Sequence, residues 1–152
     1  MHTTSGSVAK TCRFCGFVSD PASASVVYED DETMAFLDYR PLFKGHLQLI
    51  PKRHYETIMD LPEELVGRLF SKAKFLSEVV EKAMGSDGIF IAINNKVGQS
   101  VPHLHIHIVP RRFKDGLHGF FWPRMQYKSP EEEADVRHRI MATIAELSEE
   151  KG

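Results

Sequence analysis

Three histidines occupy alternate positions in the run Pro102-His103-Leu104-His105-Ile106-His107-Ile108-Val109-Pro110. In a strand, side chains alternate faces and each residue advances about 3.3 Å. His103, His105 and His107 are therefore expected on one face, ~6.6 Å apart, with Leu104, Ile106 and Ile108 turned into a core. A merely solvated face would carry Lys, Glu and Thr. Three imidazoles point instead to nucleophilic, acid–base or metal chemistry. One ion held by all three fits poorly, because its donors must lie within about 2.1 Å of it. A straight strand holds the outer two ~13 Å apart, so the three are expected to do different work.

Just upstream, Asn94, Gly98, Gln99 and Ser100 belong to a polar loop. Amide and hydroxyl donors there can meet charge developing on a substrate oxygen, and Gly98 permits close backbone approach. The only two cysteines, Cys12 and Cys15, stand three apart. They do not follow a strand and open a helix as a thioredoxin-type redox pair does, and without a secretory leader a structural disulfide is not expected. As half of a zinc site they need two more ligands.

The elements that must hold these groups are short. Segments 25–29 and 33–37 flank the acidic turn Asp30-Asp31 and read as a hairpin. Segment 46–50 alternates until Pro51 ends it, and 88–93 and 103–109 complete the set. A first helix is expected from the capping-box spacing of Asp60 and Glu63, with Pro62 in its first turn. Its stripe is Leu65, Leu69, Leu76, Val80 and Ala83, and Gly85 closes it. A second opens with a capping box at Ser129 and Glu132 and carries Val136, Ile140, Ile144 and Leu147. Both stripes read as core. The expected fold is α+β, an antiparallel sheet of about five strands with two main helices.

The 152 residues read as one domain, with 1–11 a Ser/Thr-rich frayed leader rather than a signal peptide and 113–152 a C-terminal extension carrying a helix. Apolar and charged fractions of 42% and 26% are those of a soluble globular protein. A formal charge of −2 provides no polyanion-binding field, so nucleic acid is not an expected partner. The pairs Arg111-Arg112 and Lys52-Arg53 suit one phosphate-bearing small molecule. The apolar run 88–93 falls far short of the roughly 20 residues a bilayer demands. No membrane partner is expected, and the cytoplasm is the expected location.

The segment from Gly98 to Arg111 resembles the signature of the histidine triad (HIT) family, His-φ-His-φ-His-φ-φ with φ apolar. Ala35-Phe36-Leu37-Asp38 resembles that family's ribose-binding segment, and Gly45-His46-Leu47-Gln48-Leu49-Ile50-Pro51-Lys52-Arg53-His54 its Gly-His…Ile-Pro-Lys-x-His strand. The resemblance covers 12–112. It implies that His105 attacks the α-phosphorus of a nucleotide to form a covalent nucleotidyl-histidine. It gives His107, Gln99 and Ser100 the task of stabilising the phosphate, Ser100 also assisting the leaving group. Asn94 becomes a weaker phosphate contact and Asp38 the acceptor for the ribose hydroxyls. Phe36 and Tyr39 are candidates for the base pocket, and His46 for the site's edge. Some branches hold structural zinc between such a cysteine pair, the histidine after Pro-Lys-x and the first of the triad, which here means Cys12, Cys15, His54 and His103. Members are commonly homodimers.

The implied activity is hydrolysis of a nucleotide conjugate, a nucleoside phosphoramidate or dinucleoside polyphosphate. A nucleotidyltransferase or phosphorylase using the same intermediate, and a slow-turnover nucleotide-binding regulatory protein, are the alternatives. The intact middle histidine argues against a pure sensor. The order His-Leu-His-Ile-His disfavours the galactose-1-phosphate uridylyltransferase-like branch, which has His-Pro-His and Gln as third member. Segment 116–127, rich in Phe and containing the sole tryptophan, Trp122, is expected to line the leaving-group side of the pocket or cross a dimer interface, with Arg124 near phosphate.

Overall fold

The computed structural model describes residues 11–117 and 124–151. The chain divides into two compact units, 1–115 and 116–152. The first contains a five-stranded antiparallel sheet in the order β1-β2-β3-β5-β4, with β1 Val26–Glu29, β2 Thr33–Leu37, β3 Leu47–Pro51, β4 Gly88–Ala92 and β5 Ile106–Arg111. Helix α1, Arg13–Ser19, precedes the sheet, and α2, Glu63–Met84, crosses between β3 and β4. This is the α+β fold expected.

Alternation explains which residue goes where. Ala35, Leu47, Leu49, Ile106 and Ile108 leave the sheet on one face and meet Leu69, Ala73, Leu76 and Val80 of α2. Met34, Phe36 and Ile50 leave on the other and meet Cys12 and Phe14. Both faces are covered, which is why β2 reads as a nearly continuous apolar run. Each fully buried aliphatic side chain contributes roughly 1.5–3 kcal/mol by leaving water.

The β1–β2 turn is organised by Asp30. Its Oδ1 accepts from the Glu32 and Thr33 amides and the Thr33 hydroxyl, and its Oδ2 accepts from Tyr28. Burial works to raise this carboxyl, but those donors outweigh it and hold it well below the usual range.

The capping-box expectation at Asp60 and Glu63 is corrected. Asp60 instead takes the backbone amide and hydroxyl of Thr57, closing a short 3₁₀ turn over Ile58–Asp60. Helix α2 starts after Pro62 with no side-chain cap, and acidic Glu63 and Glu64 face its positive end. Gly85, at φ 58°, ends it as expected.

In the second unit, α3 spans Pro130–Lys151. The Ser129 hydroxyl accepts from the Glu132 amide, as the spacing predicted, while the Glu132 carboxylate reaches the Lys128 amide. The expectation that its stripe is core is corrected: none of its described residues is buried, and Ile140, Ile144 and Leu147 are exposed. Of segment 116–127, Trp122 lies outside the described residues; Met125 and Tyr127 are exposed.

Candidate active site and metal-ligand cluster

The histidine segment does not run as one straight strand. Regular pairing begins only at Ile106, because the preceding backbone is bonded elsewhere. The His103 amide donates to Val101 O (2.8 Å) and the Leu104 amide to Tyr55 O (2.7 Å). His103 consequently meets the two cysteines, whereas the His105 ring stacks edge-on with His107, centroids 4.9 Å apart. The break thus separates the three side chains into two neighbourhoods, His103 with the cysteines and His105 with His107. Leu104, Ile106 and Ile108 are fully buried in the core, as alternation required.

Hydrogen-bond partners fix the state of each imidazole. His105 Nδ1 lies 2.8 Å from the His103 carbonyl oxygen, which can only accept, so Nδ1 carries the proton and Nε2 keeps its lone pair. His46 Nδ1 accepts from the Leu42 amide (3.1 Å), which places the His46 proton on Nε2, 2.9 Å from His107 Nδ1. His107 Nδ1 is thus an acceptor and its Nε2 a donor. Side by side stand a free nitrogen lone pair on His105 and an N–H on His107.

Burial keeps these rings neutral. His105 is 2% exposed, and desolvation pushes its pKa down against the pull of its bond to the His103 carbonyl and of Asp38. Burial first, then the neighbouring His105 and His46, lower His107 to about 4. His46 is lowered by burial, opposed by Asp38.

Asp38 sits at the exit of β2. Its Oδ2 accepts from Gln48 Nε2 (2.6 Å) and lies 3.7 Å from His46 Nε2; its Oδ1 accepts from the Arg40 amide. Gln48 is the register partner of His107 on β5 and of Phe36 on β2. Its Oε1 is buried and finds no donor among the described residues. A cavity of about 730 Å³ opens over this corner, with Phe14, Phe36, Asp38, Gln48 and Ser100 among its walls. His105 and His107 do not line it; they adjoin it through Phe14, whose ring meets His105 edge-on, and through Gln48.

The polar loop divides. Ser100 lines the cavity, but the Gln99 carboxamide is taken up at both ends, its Oε1 by the Lys96 amide and its Nε2 by Glu56 O. Asn94 is exposed and packs beside Gly98, whose φ is 73°. Asp38 and Ser100 are therefore gathered around one cavity beside His105 and His107, whereas Gln99 and Asn94 are turned to the loop itself. Sequence reading gave no role to Phe14, Gln48 or Arg13. A glutamine in the otherwise apolar run 47–51 was the signal for Gln48.

On the far side of Phe14, Cys12, Cys15, His54 and His103 bring four ligand atoms within 4.8 Å of one another. The His103 ring donates from Nε2 to Pro51 O (2.8 Å), leaving the Nδ1 lone pair 3.5 Å from Cys12 Sγ and 3.6 Å from Cys15 Sγ. His54 Nδ1 is 3.3 Å from Cys15 Sγ. A tetrahedral Zn²⁺ with bonds of about 2.0–2.3 Å sets its donors roughly 3.3–3.8 Å apart, so the donor set fits such an ion. As a bare thiol Cys15 is unfavourable to ionise: burial, then Cys12 as hydrogen-bond and charge neighbour, push it up to about 11. A bound cation reverses that preference.

Residues 20–114 match the HIT domain. The chain belongs to the HIT family. It is 37% identical over 115 residues to an adenylylsulfatase of Arabidopsis thaliana, covering 74% of this chain and 58% of that relative, so it spans little over half of the plant protein. A HIT family protein of Bacillus subtilis has the same fold, with a TM-score of 0.77 and 32% identity over 87% of this chain and 96% of that one. A zinc-bound histidine triad protein of Mycobacterium smegmatis aligns over 93% of this HIT chain and 98% of its own, at 33% identity and a TM-score of 0.67. HIT relatives of this chain include a nucleotide hydrolase, a bis(5′-nucleosyl)-tetraphosphatase of Schizosaccharomyces pombe, 33% identical over 101 residues that cover 65% of this chain and 56% of that relative.

Proposed function

We propose that this HIT protein hydrolyses a nucleotide conjugate at its α-phosphate, a nucleoside phosphoramidate or dinucleoside polyphosphate, through a covalent intermediate on His105. The observation that carries this reading is the bond from His105 Nδ1 to the His103 carbonyl, which reserves Nε2 for attack. Nε2 forms a bond to the α-phosphorus as the bond to the leaving group breaks. The proton stays on Nδ1, donated to the His103 carbonyl throughout, and that hydrogen bond stabilises the imidazolium as it forms. The leaving group takes the Ser100 hydroxyl proton while the Nε2–H of neutral His107 only donates a hydrogen bond; water then displaces His105 from phosphorus, returning one proton to Ser100 and releasing the mononucleotide.

Asp38, held by Gln48 and the Arg40 amide, receives the ribose hydroxyls. His107 and Ser100 supply donors to the phosphate oxygens, charge that is best stabilised by groups already in place. Gln99 and Asn94 act on the phosphate only by shaping the loop that presents Ser100.

Zinc is proposed at Cys12, Cys15, His54 and His103, supported by the spacing of the four donors. Such a closed Cys₂His₂ set has no open position for substrate, so its contribution is to the fold. It would tie α1 to the segment that carries His105. A homodimer in the cytoplasm completes the proposal; among the described residues no helix is long and apolar enough to cross a membrane.

The deciding experiment incubates the protein with nucleoside phosphoramidates and dinucleoside polyphosphates, separates the mononucleotide products, and quenches early to recover a nucleotidylated His105 peptide. Turnover without that adduct, or an adduct on another residue, would rule out the mechanism.

A further inference from the structure

The aromatic end of the cavity is unusually rich in hydrogen-bond donors. Phe14, Phe17 and Phe36 interlock there, with centroid separations of 5.1–5.8 Å. Arg13 stands at the same end, its guanidinium 4.5 Å from the centroid of Tyr39, and Arg40 approaches Tyr39 at 5.4 Å. All of these except Arg40 present aromatic or cationic surface to a flat ligand, and Arg40 adds a second cation to the wall. Asp38 and Gln48 on the cavity wall are bonded to each other, and Ser23, Ser25 and Ser100 add hydroxyls to it.

We infer that Arg13 is a specificity-determining residue that selects a 6-oxopurine, guanine or hypoxanthine, over adenine. This rests on the nucleotide reading above. With the ribose at Asp38, the base lies toward the aromatic end, where Arg13 is the fork of donors within reach of its edge. Guanine and hypoxanthine offer O6 and N7, two adjacent acceptors that match a guanidinium in bidentate fashion. Adenine offers N7 beside an amino group, whose hydrogens face the cation. Tyr39 holds the guanidinium by its ring, 4.5 Å away, and by a side-chain hydrogen bond, which takes up only part of the five N–H donors of Arg13. An Asn or Gln carboxamide reads adenine's N6 and N7 together; Gln48, the carboxamide among the described residues of this wall, has its Nε2 committed to Asp38.

The test compares kcat/KM for guanosine and adenosine 5′-phosphoramidate, with calorimetric binding of GMP and AMP alongside. Wild type should favour the guanosine substrate by about tenfold or more, the discrimination one bidentate pair supplies. Arg13→Met should bring the ratio to within about twofold, and Arg13→Lys, which keeps the charge but loses the fork, should resemble Arg13→Met rather than wild type. Arg13 is exposed, so both variants should fold. Equal use of the two bases by wild type, or an unchanged ratio in Arg13→Met, would overturn the assignment. Binding of GMP and AMP with no turnover of either conjugate would overturn the hydrolase reading while the GMP-to-AMP affinity ratio still decides the role of Arg13.

Discussion

The ring of Phe14 meets the ring of His105 edge to face, centroids 5.1 Å apart and planes at 89°. Phe14 lies between Cys12 and Cys15, so the first turn of α1, which with its N-cap supplies two of the four clustered metal-ligand side chains, also presses on the candidate nucleophile. The same phenylalanine packs on Phe36 at 5.2 Å and forms part of the cavity wall. One side chain thus belongs to the helix turn of the metal-ligand cluster, the second core and the pocket.

Replacing the nucleophile gives the most direct test. His105→Ala should lower kcat on the order of 10³-fold or more, since the covalent route is lost. Its circular dichroism spectrum and cooperative melting should be retained. Near-normal turnover by this variant would remove His105 from the mechanism.

Purified protein should contain about one zinc per chain by elemental analysis, as a four-donor set requires. Cys12→Ser should lose the metal and melt at lower temperature, with chelator having little further effect on it. Wild-type protein that is metal-free and no less stable than after zinc addition would contradict the assignment.

Stability should fall in acid through His107. Its pKa in the folded state is lowered to about 4 from an ordinary 6.5, so between those values the unfolded chain binds more protons. The stabilisation is complete above pH 6.5 and is lost as pH falls through 4. Thermal melts from pH 7 to pH 4 should decline more steeply for wild type than for His107→Gln. Parallel slopes would show that His107 does not control the acid limb.

Gly45 adopts φ 100° just ahead of His46, and a Cβ there would lie 2.7 Å from Met84 Cγ. Gly45→Ala should cost about 1–3 kcal/mol in denaturant unfolding, through backbone strain and that clash. Adding Met84→Ala should relieve only the clash. Full recovery in the double variant would mean that the backbone tolerates this conformation without strain.

The strands and the crossover helix were legible because alternation and a 3.6-residue period survive in short segments. The break before Ile106 was not, since the Leu104 amide is taken by a tertiary partner, Tyr55, while the His103 amide closes a tight local turn onto Val101. Asp60 was assigned to the wrong helix start: Thr57, three residues upstream, competes for the same carboxylate. The stripe on α3 was correctly traced but placed in a core, because periodicity tells which face is apolar and not what covers it. The four candidate metal ligands, scattered over 91 residues of chain, became legible through the family resemblance, and their donors do converge.

His103 acts on its two neighbourhoods through different atoms. Its imidazole faces the cysteines, whereas only its backbone carbonyl holds the His105 proton. A carbonyl is present whatever side chain stands at 103. A lineage could therefore discard both cysteines and replace this histidine, finding another way to anchor α1, without disturbing the tautomer of His105.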